Sequence, residues 1–105
     1  MNAEADRQFR AGRYPAALAL YEDAAAGGDA HASEMAGYML YFGPALFGPG
    51  TTCDRHRARC LLGFAAEAGL PVAQMLMRQL ARSEQAASSR HHPNPNEDIS
   101  CKPGP

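Results

Sequence analysis

The chain has 105 residues, 46% of them hydrophobic, and its 10 lysines and arginines stand against 11 aspartates and glutamates for a net charge of −1. That length and apolar content suit one domain around one core, and so even a charge supplies no field to draw the chain onto nucleic acid or anionic lipid. Glu4 and Asp6 close behind Met1 lack the basic-then-apolar order of a secretory signal, and glycine and proline interrupt the longest apolar stretch, Met35 to Phe47, before it could span a membrane; the expectation is a cytoplasmic protein.

Punctuation by glycine, proline and capping residues predicts five helices. The first covers about residues 3 to 11, with Gly12 as its left-handed terminator. Pro15 suits the first turn of the second, which carries Ala17, Leu20, Tyr21 and Ala24 on one side and stops at Gly27 and Gly28. Asp29 caps a third helix that runs to Phe42, where Gly43 and Pro44 break it. A loop follows from Gly43 to Thr51. Thr51 and Asp54 resemble a capping box opening a fourth helix that ends near Gly69, and Pro71 starts a fifth that fades near Ser88. Residues 1–87 form the predicted domain, and residues 88–105 read as a disordered, polar, proline-rich tail.

The chain also repeats itself. Ala17, Leu20, Ala24, Ala25, Gly28 and Ala32 recur 41 residues later as Ala58, Leu61, Ala65, Ala66, Gly69 and Ala73. A period of this size with alanine and leucine at helical spacing belongs to stacked helical hairpins, each burying its apolar face against the next. The run Ala65, Ala66, Glu67, Ala68, Gly69, then Ala73, with Gly37, Gly43, Asp54 and Ala58 upstream, resembles the unit of the Sel-one-like repeat family, relatives of the tetratricopeptide repeats. Phe9, Gly12, Tyr14, Ala17, Tyr21 and Ala24 are similar to a tetratricopeptide hairpin, so the likeness covers about residues 3 to 80. It departs from the pattern in a longer link from Gly43 to Asp54, in Ala36 where leucine is usual, and in Arg78 where glycine is usual. The resemblance implies an all-α fold, a short α-solenoid of two antiparallel helix hairpins plus a terminal helix, with the first, third and fifth helices lining a concave face.

Such arrays normally need about three units with polar caps, so a lone fifth helix leaves an incomplete end. Val72, Ala73, Met75, Leu76, Met77 and Leu80 give that helix a wider apolar surface than one hairpin covers, which predicts either a homodimer through residues 71–82, a bound partner, or methionines folded back over the core.

Chemistry is sparse. Cys53, His56 and Cys60 share a helical face, but about 10 Å between the two cysteine Cα atoms, at 1.5 Å rise per residue, is too long for a disulfide or for two thiolates on one zinc. Reduced thiols are the simplest reading, with Cys101 the one residue that could reach either of the others; a metal- or redox-responsive protein using Cys53, Cys60 and Cys101 is the alternative function. No nucleophile with base and oxyanion donors is evident, and no glycine-rich phosphate loop carries a lysine, so neither an enzyme nor a cofactor is expected. Arg55, Arg57 and Arg59 alternate and do not share one face; Arg57 is expected at the core edge with its stem buried.

The function expected is binding of a protein or peptide in the groove of the first, third and fifth helices. By helical phase and family likeness the contacts are Glu34, Tyr38, Tyr41, Gln74, Arg78 and Arg82, with Phe47 from the loop in support. Similar small bacterial repeat proteins act as adaptors, secretion-associated factors or inhibitors of toxins, and the likeness extends those roles to this chain.

Overall fold

The structure is a computed structural model that describes residues 2–88. They form six helices: α1 (Ala3–Arg10), α2 (Tyr14–Ala26), α3 (Ala30–Phe42), α4 (Pro44–Phe47), α5 (Arg55–Glu67) and α6 (Pro71–Ser88). The fold is all-α, and no strand occurs among the described residues. Each long helix packs on the next, α1 on α2, α2 on α3, α3 on α5 and α5 on α6, and α6 also touches α3. The predicted tail lies outside the described residues from 89 onward, and α6 reaches Ser88.

The 41-residue spacing of the sequence carries into the structure. Ala17 and Ala58 are wholly buried, as are Ala32 and Ala73. Gly28 and Gly69 take nearly the same left-handed backbone, φ 97° and 93°. At both, the helix closes with the same pair of bonds: Asp29 N and Leu70 N each donate to the carbonyl five residues back at 3.2 Å, and Gly28 N and Gly69 N to the carbonyl three back. This is the Schellman closure of a helix end. Small side chains at these places let neighbouring helices approach, and the closures turn the chain into the next helix.

Two apolar clusters share α3. One joins Ala5, Ala17, Tyr21, Ala32, Ala36, Met39 and Phe47, and the other joins Leu40, Ala58, Leu62, Ala65, Ala73, Leu76 and Leu80. Leu18, Tyr38, Phe42 and Leu61 pack against both and weld them into one core. The approach of α3 to α5 is tightest at Gly37, where a Cβ would come within 2.6 Å of Leu62 Cγ and 3.2 Å of Leu62 N. Beside it the buried Ser33 hydroxyl donates to Leu61 O at 2.6 Å, so this polar side chain is satisfied by backbone of the facing helix.

Three helix starts show two solutions to one problem, the unpaired N–H groups of the first turn. Asp29 accepts from Ala32 N at 2.9 Å and opens α3 as expected. Asp54, rather than Thr51, caps α5 by accepting from Arg57 N at 3.0 Å; the Thr51 hydroxyl donates to Gly48 O at 2.7 Å and belongs to the preceding turn. At α6 the residue before Pro71 is Leu70, which has no capping oxygen. There Glu34, reaching over from α3, accepts from Ala73 N at 3.1 Å.

The expected loop contains the single-turn helix α4, bounded by Gly43 and Gly48 with φ of 59° and 79°. Gly43 is also sterically required, since a Cβ there would lie 2.7 Å from Cys53 Cβ. Asp54 N donates to Leu40 O at 3.0 Å and brings the chain back to α3.

Candidate interaction surface

Helical phase and the observed contacts fix which side of each helix is open. On α6, Ala73, Leu76 and Leu80 point into the core, while Gln74 donates to Ala66 O at 3.2 Å and Met77 approaches Gly63, so positions 70, 74 and 77 form the flank against α5. Val72, Met75 and Gln79 occupy the flank away from α5, and Val72 and Met75 are 41% and 47% exposed. On α3 the core takes Ala32, Ala36, Met39 and Leu40, leaving Glu34, Tyr38 and Tyr41 on the outer side.

Tyr38 and Tyr41 are half-buried. The Tyr38 ring lies 4.9 Å from Phe42 and 5.7 Å from Phe47, and the Tyr41 ring lies 4.8 Å from Phe42. Over the Tyr41 face sits the Arg55 guanidinium, 5.3 Å from the ring centre, a cation–π contact at the start of α5. Each tyrosine is therefore partly covered by neighbouring rings, and Tyr41 also by the Arg55 guanidinium.

The other residues expected at a groove fare differently. Glu34 is the cap of α6, with His31 Nδ1 4.0 Å from its other oxygen, so its carboxylate is engaged in holding the fold. Gln74 faces α5, because α5 lies on the flank that phase alone could not distinguish from the groove. Arg78 and Arg82 are exposed on α6. Phe47 is only 7% exposed: it is tucked into the fold and not displayed, since three aromatic rings converge on it. Its ring centre lies 5.8 Å from Phe9 of α1, 5.1 Å from Tyr14 at the start of α2 and 5.7 Å from Tyr38 of α3, all edge-to-face. Leu46, beside it, is 52% exposed instead.

Two side chains missed in the sequence matter here. Phe64 is exposed on α5, a position the 3.6-residue period puts on the solvent side. Arg55, seen only as one of an alternating triplet, is identified by the ring beneath it. Arg57 is exposed rather than lodged at the core edge, and it pairs with Glu22 of α2, tying the second hairpin to the first.

The ionisable groups with displaced pKa values serve the fold. Burial, together with the hydrogen bond that the Tyr21 hydroxyl donates to Asp6 and the charge of that carboxylate, raises the Tyr21 pKa above the ordinary phenol value, with Arg10 acting in the opposite sense. The amide of Ala32 holds the Asp29 carboxyl below its usual value, aided by the Asn2 side chain at 3.1 Å and opposed by partial burial.

Cys53 lies ahead of α5 as an exposed free thiol whose sulfur is 3.4 Å from Tyr41 O. Cys60 is disulfide-bonded, which corrects the all-thiol expectation at that position; Cys101, the partner considered from sequence, lies outside the described residues. Among the described residues no three His, Cys, Asp or Glu side chains are placed to hold a metal ion, and no helix is long and apolar enough to cross a membrane.

Compared with family models, with curated proteins and with solved structures, the chain matches none.

Proposed function

We propose that this chain is a protein-interaction module that holds a peptide or protein segment against the outer side of α3 and the adjoining flank of α6. The observation that carries this reading is that α3 and α6 touch, and that outside the core α3 carries half-buried Tyr38 and Tyr41 while α6 carries exposed Val72 and Met75. Tyrosine offers a large rigid surface with a polar tip, and apolar side chains at a rim of arginines suit a segment with apolar anchors and acidic flanks. Arg78, Arg82 and Arg55 supply that rim. The likeness to Sel-one-like repeats supports the same reading and adds the expectation of a cytoplasmic adaptor, secretion-associated factor or toxin-neutralising protein. Neither nucleic acid nor membrane is the partner proposed.

The test is capture from a host extract by wild type and by a Val72→Ser, Met75→Ser variant, followed by titration of the captured protein in purified form. Both substituted side chains are exposed, so the variant folds and a loss of affinity of tenfold or more reports on the surface. Equal affinity for the two proteins removes the reading. Light scattering supplies the second arm: a wild-type dimer that the same substitutions dissociate would make the surface a self-association face.

A further inference from the structure

The segment between Gly43 and Gly48 is attached to the rest of the fold mainly by one side chain. Pro44, Ala45 and Leu46 are exposed, and Phe47 alone of α4 is buried. Its ring occupies a cradle whose walls come from three separate helices: Phe9 of α1, Tyr14 of α2 and Tyr38 of α3. Gly50 also approaches Pro15 closely, where a Cβ would lie 3.1 Å from Pro15 Cγ. The chain enters and leaves this turn through glycines with left-handed φ, Gly43 and Gly48, where large backbone rearrangements meet no side chain of their own. Tyr38, a wall of the cradle, is also a member of the proposed partner surface.

We propose that residues 44–50 are a built-in occupant of an aromatic cradle, and that a partner segment carrying a large aromatic side chain takes the place of Phe47 when it binds. This rests on the interaction-module reading and adds a regulatory element to it. The resident side chain reveals the chemistry the cradle accepts: a flat ring that can present its edges or faces to three others, delivered by a tight turn flanked by glycine and proline. The tether keeps Phe47 at an effective concentration in the millimolar range or above, so a competing segment must either bind the α6 flank as well or bring a ring that fits better. Occupancy of the cradle and exposure of the turn are thereby linked, because a ring that enters from outside expels residues 44–50 into solvent.

The experiment uses the full chain as wild type, Phe47→Ala and Phe47→Leu, with a synthetic peptide of residues 43–52 of this same chain as probe and the same peptide with alanine for its phenylalanine as control. Chemical-shift changes at Phe9, Tyr14 and Tyr38 follow the titration. The expected result is binding of the probe to Phe47→Ala at least tenfold tighter than to wild type, with Phe47→Leu between them and no binding of the control peptide to any. The amide spectrum of each variant, taken first, shows that it is folded; if Phe47→Ala is not, Phe47→Leu against wild type carries the comparison. A folded variant that binds the probe no better than wild type, or that binds the control equally, overturns the proposal. The purified partner from the capture experiment separates the two readings. Equal affinity for wild type and folded Phe47→Ala overturns the plug while leaving the interaction module standing. Probe binding to the emptied cradle with no effect of the Val72 and Met75 substitutions on capture leaves the plug standing and removes the proposed surface.

Discussion

Gly37 and Gly63 are both helix-interior glycines, and the structure assigns them opposite signs on substitution. Replacing either by alanine recovers about 0.8–1 kcal/mol of helix propensity. At Gly63 the new methyl meets Met77 Cε at 3.8 Å, an ordinary contact with the end of a flexible side chain. Gly63→Ala is therefore expected to stabilise the fold by about 1 kcal/mol. At Gly37 the methyl would sit 2.6 Å and 2.9 Å from carbon atoms of Leu62, which is wholly buried, and 3.2 Å from its backbone nitrogen. Turning the Leu62 side chain cannot relieve the last of these, so α5 has to move away from α3 and open the contact beside Ser33. Overpacking of that kind costs about 1–3 kcal/mol. With backbone in the way the upper half of that range applies, and after the propensity gain Gly37→Ala should destabilise by about 1–2 kcal/mol. Urea unfolding followed by helical circular dichroism at constant slope would separate the two variants by about 2–3 kcal/mol, and thermal midpoints should move apart by about 8–24 °C, since 1 kcal/mol shifts a domain of this size by about 4–8 °C. A Gly37→Ala protein as stable as Gly63→Ala would refute the close approach of α3 and α5.

Three further outcomes test other contacts. Tyr21→Phe should cost about 1–2 kcal/mol at neutral pH by removing the hydrogen bond to Asp6; because the folded pKa of Tyr21 is raised, wild type should also lose stability as pH climbs above about 10, where the unfolded phenol ionises first, and the variant should lack that component. Asp29 has a lowered folded pKa, so its contribution is present above about pH 4 and disappears as pH falls further; Asp29→Asn keeps the cap, and its stability difference from wild type should shrink between pH 5 and about pH 2 in acid titrations of the urea midpoint. Glu34→Ala should cost about 1 kcal/mol and speed hydrogen exchange at Ala73, whereas Glu34→Gln, which retains an acceptor, should change exchange there little.

Local features were legible from the chain alone. Asp29, Gly28, Gly69, Pro15 and Pro71 each act within a few residues of themselves, and the helices begin and end where they stand. The 41-residue spacing was equally readable, because it depends on small residues recurring where helices touch. What sequence could not supply were partners brought from far away. Glu34 has the phase of a groove residue and the function of a cap for a helix 39 residues on. Between two Gly-Pro steps Phe47 reads as either tucked in or displayed, and only the convergence of Phe9, Tyr14 and Tyr38 from three helices decides it. Gln74 and Val72 both lie off the core line of α6, and only the position of α5 tells which of them is open. For the proposed surface, therefore, helical phase picks out Tyr38 and Tyr41, while Val72 and Met75 read as part of a wide apolar surface open to a second copy, a partner or the core, without showing which of its residues stay exposed.

The borrowed cap of α6 bears on the order in which the molecule assembles. α3 and α5 carry their own start signals in Asp29 and Asp54, so each can begin to form from its local sequence. α6 starts with Leu70 and Pro71 and receives its capping oxygen from Glu34, a residue that is in place only once α3 is helical and docked. Helix nucleation is the unfavourable step, and here that step is made conditional on structure formed earlier in the chain. The order expected from the caps is α3 and α5 before α6, and slower protection of the α6 amides than of those in α3 and α5 during refolding, followed by hydrogen exchange, is the result that checks it.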